Sequence, residues 1–175
     1  MKVYLRALEI EDHILMQKWM SDPEVVKYLG GNVFFVSRER EKTFIESKIA
    51  DDSKSIYLGI CEKETGQLIG YASINNIDLR NSKAEWGGLV IGEEKYRSSG
   101  YGKEAASKLL RFLFDQYPVH KCVAYCLAEH PVTVRLFESL GFKFDGVLRD
   151  EIFKNGEHKN VNMYSILREE INGKF

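Results

Sequence analysis

The sequence predicts a mixed α/β fold: one mainly antiparallel sheet of about seven strands, flanked by helices. Three observations carry this. Short apolar runs with period-two alternation recur from the first residues to the last thirty. Stripes at helical spacing lie between them, the longest near 101–116. Turn sequences join successive strands directly, which makes them antiparallel neighbours.

The elements follow in order. Residues 2–8 alternate Val3, Leu5 and Ala7 against Tyr4, Arg6 and Leu8, and read as a strand. Ile14, Leu15 and Trp19 make one stripe of a helix over 11–20. Asp22-Pro23-Glu24 opens a short helix, with proline where a first-turn N–H would go unpaired, and Gly30-Gly31 stops it. Ser37 caps a third helix over 38–50, carrying Phe44, Ile45 and Ile49. Residues 55–62 and 67–78 form a hairpin around Glu64-Thr65-Gly66-Gln67. Residues 83–91, KAEWGGLVI, are a strand whose inner Gly87-Gly88 marks a bulge or a close backbone approach. The long helix 101–116 presents Ala105, Ala106, Leu109, Leu110 and Leu113 on one side. Residues 121–128 are strand, and Pro131 starts a helix that Gly141 ends. A last hairpin, 142–153 and 157–167, turns at Asn155-Gly156, which supplies the positive φ angles of a type I′ turn.

The chain has 175 residues, three prolines, no repeat and no linker, so 1–175 reads as one domain. With 25 basic and 26 acidic side chains, bulk charge favours neither nucleic acid nor an anionic membrane. Cys61, Cys122 and Cys126 are odd in number and lack zinc-ligand spacing, so no metal is expected. Cys122 and Cys126 share a strand face and read as small buried groups. The start is charged and alternating, and no run approaches the ~20 apolar residues of a membrane span. The expectation is a cytoplasmic protein.

The stretch that carries chemistry is Arg97-Ser98-Ser99-Gly100-Tyr101-Gly102-Lys103, between a strand and the long helix. Two glycines and two serines allow a tight turn with N–H groups pointing inward. The helix adds unpaired N–H groups and its positive dipole end. Together they make a cradle for a pyrophosphate, and Arg97 and Lys103 add mobile positive charge. No Gly-x-x-x-x-Gly-Lys-Ser/Thr occurs, and GxGxxG is incomplete because Ala105 holds its last place.

Residues 84–106, AEWGGLVIGEEKYRSSGYGKEAA, resemble the acetyl-CoA motif of GNAT acetyltransferases, Arg/Gln-x-x-Gly-x-Gly/Ala, at Arg97, Gly100 and Gly102. Leu136-Phe137-Glu138-Ser139-Leu140-Gly141-Phe142 resembles the family's Leu-Tyr-Glu-x-Leu-Gly-Phe. The opening and the tail resemble the ribosomal-protein alanine and polyamine acetyltransferase branch. The resemblance covers essentially the whole chain. It implies a GNAT fold and transfer of an acetyl group from acetyl-CoA to a primary amine, directly in a ternary complex. Pantetheine would lie along Leu89, Val90 and Ile91, and a bulge there would splay this strand from the next. The N–H of Val90, or of a neighbour, would bond the thioester oxygen as it gains charge. The loop 97–103 would hold the pyrophosphate, and His130 and Phe137 would lie beside the pantetheine arm. Several members of the branch are dimers, so a homodimer is possible. Two rival readings remain: a nucleotide-sugar amine as acceptor, or a non-catalytic acyl-CoA-binding regulator.

An alkylamine of pKa near 10.4 must lose a proton before it attacks. Glu85, on the same strand as the oxyanion donor, is the first candidate to take it; Asp78 and Glu62 are weaker. His13, His120 and His158 read as surface. His130 stands where the family most often has asparagine. Phe137 stands where many relatives have a tyrosine that protonates the departing thiolate, and it has no proton to give. Tyr125, Tyr101, Tyr164 or water are the substitutes, and Phe137→Tyr is expected to raise kcat. The acceptor should be read by segment 20–50 and the terminal hairpin. There Asp22 and Glu24, with Asp51 and Asp52 just past its end, are offset by Lys27, Arg38, Arg40 and Lys42.

Overall fold

The computed structural model describes residues 1–30, 35–50 and 53–171. Gly31, Asp51 and Asp52, singled out above, lie outside the described residues. Seven strands form one sheet in the order β1-β2-β3-β4-β5-β7-β6. They are β1 (Val3–Ala7), β2 (Ile56–Glu62), β3 (Leu68–Asp78), β4 (Lys83–Ile91), β5 (Lys121–Leu127), β6 (Lys143–Lys154) and β7 (Glu157–Leu167). Every neighbouring pair is antiparallel except β4 and β5, which are parallel. The helices are α1 (His13–Met20), α2 (Pro23–Val26), α3 (Arg38–Ala50), α4 (Tyr101–Gln116) and α5 (Pro131–Leu140).

Side-chain alternation on the strands divides the core between the two faces. Ile60, Ile69 and Ile74 face α4 and α5, whose Leu109, Leu110, Leu113, Phe137 and Leu140 are buried against them. Cys61 and Leu68, their neighbours in sequence, face Met16 and Trp19 of α1 and Ile45 of α3. Fully burying one such leucine or isoleucine contributes about 1.5–3 kcal/mol.

Local chemistry fixes the element ends. Asp22 accepts from Glu24 N–H (3.0 Å) and caps α2, and Ser37 Oγ accepts from Arg40 N–H (3.1 Å) at the start of α3. Ile49 of α3, expected on the buried side, is 48% exposed. Asn155 and Gly156 turn at φ 54° and 81°, as the last hairpin requires. At the end of β4, a Cβ on Gly92 would lie 2.1 Å from the Trp19 ring, so only glycine fits beneath α1.

Candidate active site

The decisive irregularity is in β4. Ser73 of β3 pairs with Gly88 and Ile74 with Trp86, which leaves Gly87 as an extra residue. A Cβ on Gly87 would lie 2.4 Å from Ser73 Oγ and 2.5 Å from Asn75 Nδ2, and Gly88 has φ 141°. The paired glycines are therefore a steric requirement of the bulge. Pairing of β4 with β5 stops at Trp86 and Ala124. Beyond it the two parallel strands part, and a cleft opens between them.

Ladder alternation says which backbone groups face that cleft. Gly92 N–H donates to Ile69 O at 2.9 Å, and the register runs Gly70 with Ile91, Tyr71 with Val90 and Ala72 with Leu89. In an antiparallel ladder, N–H groups point alternately to the partner and away. Val90 N–H thus points at β3, whereas those of Leu89 and Ile91 point into the cleft. The Val90 N–H, named above as the expected oxyanion donor, is therefore turned away from the cleft, and those of its two neighbours face it.

Two cavities occupy the cleft. One, of about 500 Å³, runs along Leu89, Val90 and Ile91 to the loop after β4. The other, of about 520 Å³, lies between β4, β5 and the terminal hairpin. They meet at Tyr28, Leu29, Leu89, His130, Thr133 and Leu136, which line both.

The first cavity suits a phosphorylated, elongated ligand. Arg97, Ser98, Gly100, Gly102 and Lys103 line its end. Ser98 and Gly100 take left-handed φ values of 58° and 85°, and Gly100 is the N-cap of α4, with no side chain filling the cap. The opening N–H groups of α4 are thereby left to a ligand. Ser99 and Tyr101 do not line the cavity. Ser99 Oγ donates to Arg97 O (3.2 Å), and the Tyr101 ring packs on Tyr96 with Lys2 Nζ above it. Nor is Arg97 a mobile charge. Its Nε donates to Ile91 O (3.0 Å) and an Nη to Gly92 O (2.6 Å), and Asp22 lies 3.7 Å away. It ties the loop to the end of β4, while Lys103 and Arg135 also line the cavity.

The second cavity carries two carboxylates, Glu85 on β4 and Glu151 on β6, with Tyr125 on β5. Burial, then the charges of Glu85, Glu151 and Asp145, hold the Tyr125 hydroxyl above its usual pKa. Asn76 Nδ2 donates to Glu85 (2.9 Å) and orients it. The other base candidates are elsewhere. Glu62 accepts from Glu64 N–H, Thr65 N–H and Thr65 Oγ in the β2–β3 turn, and Asp78 is bonded by Asn81.

Glu151 carried no signal in the sequence. Leu148 pairs with Val161 and Ile152 with Lys159, so residues 149–151 oppose Asn160 alone. Asp150 takes φ 51° there, and its N–H donates to Asn160 Oδ1 (2.9 Å). That irregularity aims Glu151 and Ile152 into the cavity. Lys154 was also missed. Its Nζ, buried at the end of β6, donates to Val26 O (3.0 Å) and Leu29 O, and fastens the Tyr28–Leu29 wall to the hairpin. Segment 20–50 gives the second cavity Tyr28, Leu29 and Gly30 and none of its carboxylates; Glu24 lines the first cavity, and Asp22 is spent on capping.

Two of the three histidines expected at the surface are there, and His13 is half-buried. His120 and His158 are exposed, and His13 bonds Ile10 O (2.7 Å). His130 is at the junction, stacked on Tyr28 at 4.1 Å and 7°. Phe137 is 1% exposed, packed with Trp86, Phe142 and Tyr164 at the edge of the second cavity.

This geometry is matched by known proteins. The GNAT acetyltransferase domain model matches residues 2–143. The chain belongs to the GNAT acetyltransferases. The uncharacterized N-acetyltransferase p20 of Bacillus licheniformis is 31% identical over 98% of this chain and 96% of its own. The spermidine N(1)-acetyltransferase of Vibrio cholerae is 24% identical over 94% of this chain and 92% of its own. A crystal structure of Vibrio cholerae spermidine N-acetyltransferase with CoA and spermine superposes with a TM-score of 0.88, at 22% identity over 98% of this chain and 99% of that one. This GNAT protein is an acetyl-CoA-dependent N-acetyltransferase, as the sequence led one to expect. Among the described residues no helix is long and apolar enough to cross a membrane, and no cluster of metal-ligating side chains occurs.

Proposed function

We propose that this acetyltransferase transfers the acetyl group of acetyl-CoA to the primary amine of a small cationic acceptor, with the donor in the first cavity and the acceptor in the second. The observation that carries this reading is the meeting of the two cavities at Leu89. Pyrophosphate would sit on the loop from Arg97 to Lys103, held by backbone N–H groups and Lys103. Pantetheine would follow β4, where Leu89 and Ile91 offer N–H groups. Of these two residues, Leu89 borders both cavities and Ile91 only the first. Its N–H is the proposed oxyanion donor, a role worth roughly 2.7–4 kcal/mol in transition-state stabilisation.

Glu85 is the proposed acceptor of the first ammonium proton, directly or through water. Glu151 supplies the second negative charge, which suits a diamine or polyamine better than a nucleotide-sugar amine, whose phosphates two carboxylates would repel. A homodimer is supported by Phe144, Val147 and Phe153, all about half exposed on the sheet-edge strand β6. Free Cys61, Cys122 and Cys126 support a reducing compartment, the cytoplasm.

The test is acetyl transfer against polyamines, amino acids, aminoglycosides, nucleotide-sugar amines and N-terminal peptides. Glu85→Gln should lower kcat on the best acceptor by about 10²-fold or more. Glu151→Gln should raise KM for a diamine about tenfold and leave KM for a monoamine nearly unchanged. A monoamine preference in wild type, or an uncharged acceptor as the best substrate, would overturn the acceptor reading.

A further inference from the structure

We infer that His130 carries a proton from the attacking nitrogen to the departing sulfur. The inference rests on the transfer reaction proposed above and names the shuttle within that site. Its ground is position. The reacting bond must lie where the two cavities meet, and the side chains there are Tyr28, Leu29, Leu89, His130, Thr133 and Leu136. Among them only His130 has an ordinary pKa near neutrality. Tyrosines elsewhere are poorly placed: Tyr125 lines the acceptor cavity alone, and Tyr101 and Tyr164 line neither. Phe137 has no exchangeable proton.

The ring is also held for the task. Its Nδ1 is 2.6 Å from Thr133 Oγ, and its face stacks on Tyr28. In the tautomer whose Nδ1–H donates to Thr133 Oγ, Nε2 keeps its lone pair, and the stack on Tyr28 holds the ring plane. Burial lowers the His130 pKa, so the ring starts neutral at pH 7 and is ready to accept. Glu85, Glu151 and Tyr125 share the acceptor cavity with it, and Glu24, Arg97, Lys103 and Arg135 share the donor cavity.

The step balances as follows. The acceptor ammonium gives its first proton to Glu85, which releases it to solvent. The nitrogen lone pair then forms the C–N bond, and the carbonyl electron pair moves onto oxygen, beside Leu89 N–H. The nitrogen, now positive, gives its second proton to His130 Nε2. As the C=O bond re-forms, the C–S bond breaks with its electron pair on sulfur, and Nε2–H protonates the sulfur. His130 ends neutral, and the products are the amide and the free thiol.

The experiment compares wild type, His130→Asn, His130→Ala and Thr133→Val on the best amine, with CoA affinity by calorimetry and folding by circular dichroism. His130→Asn should lose about 10²-fold in kcat, with CoA affinity changed by less than about threefold. His130→Ala should regain at least about tenfold of its lost rate in added imidazole, because a small base can enter the space left by the ring. Thr133→Val should lose about tenfold in kcat by freeing the ring. A folded, CoA-binding His130→Asn enzyme within about twofold of wild type, or a His130→Ala enzyme that imidazole does not quicken, would overturn the shuttle and leave the transferase reading standing. Wild type that binds CoA but acetylates no amine would overturn both.

Discussion

At Gly102 the absence of a side chain keeps the first cavity open. A Cβ there would lie 3.3 Å from Leu89 Cδ2 and 3.6 Å from Ile91 Cγ1, in the wall of the donor cavity. Gly102→Val should weaken acetyl-CoA binding at least about tenfold by calorimetry, and Ser98→Ala by less than about threefold, because the loop's anion contacts are mostly backbone. Native affinity in Gly102→Val would remove the loop from the cofactor site. At position 137 the proposed His130 shuttle replaces the earlier expectation. The Phe137 ring is buried among three aromatic rings. With His130 delivering the proton, Phe137→Tyr should alter wild-type kcat by less than about threefold, and steady-state kinetics across pH 6–9 will show it. A motif marked Gly100 and Gly102, which line the first cavity, whereas Glu85 was singled out by its strand and His130 by its place before Pro131, and both line the cleft. Arg97 was legible as a landmark but not in its role, because nothing in a motif says that a guanidinium is already bonded to two carbonyls.

Elements were legible where their chemistry is local. Caps such as Asp22 and Ser37, the Asn155-Gly156 turn and the Gly87-Gly88 bulge each need particular residues at particular places. The irregularity at 149–151 needs none, since its support comes from Asn160 on the partner strand, and so Glu151 went unseen. The Lys154 clamp joins residues more than a hundred positions apart, beyond any local pattern. A second long-armed contact sets the approach of the chain to α1. Asp12, 8% exposed, accepts two hydrogen bonds from Arg6, at 2.7 and 2.8 Å, and one from Glu9 N–H at 2.8 Å. Burial works to raise its pKa, but these bonds prevail and hold it below the usual value of 3.8. A carboxylate depressed in the folded state stabilises above its unfolded pKa, and that contribution fades as pH falls through the folded one. Asp12→Asn should therefore cost about 2–4 kcal/mol at pH 7 in denaturant melts and progressively less below pH 4. An equal difference from wild type at pH 7 and pH 3 would refute this.

At the scale of the whole molecule, the order of elements was readable because each is separated by its own turn or cap, and the single parallel pair follows from the helix that joins β4 to β5. The meeting of two cavities was not readable. It arises where β4 and β5 part and where α2, α5 and the terminal hairpin close around the gap, and no segment encodes it alone. In the proposed reaction that junction lets acetyl-CoA and the amine be present together, so that the acetyl group passes directly. The most direct measurement is the initial rate with acetyl-CoA and the best amine, each varied at several fixed concentrations of the other. Direct transfer predicts double-reciprocal lines that intersect to the left of the axis, with one thiol released per amide formed. Parallel lines, or thiol release independent of the amine, would mean that the acetyl group first rests on the protein or on water, and would contradict transfer across the junction at Leu89.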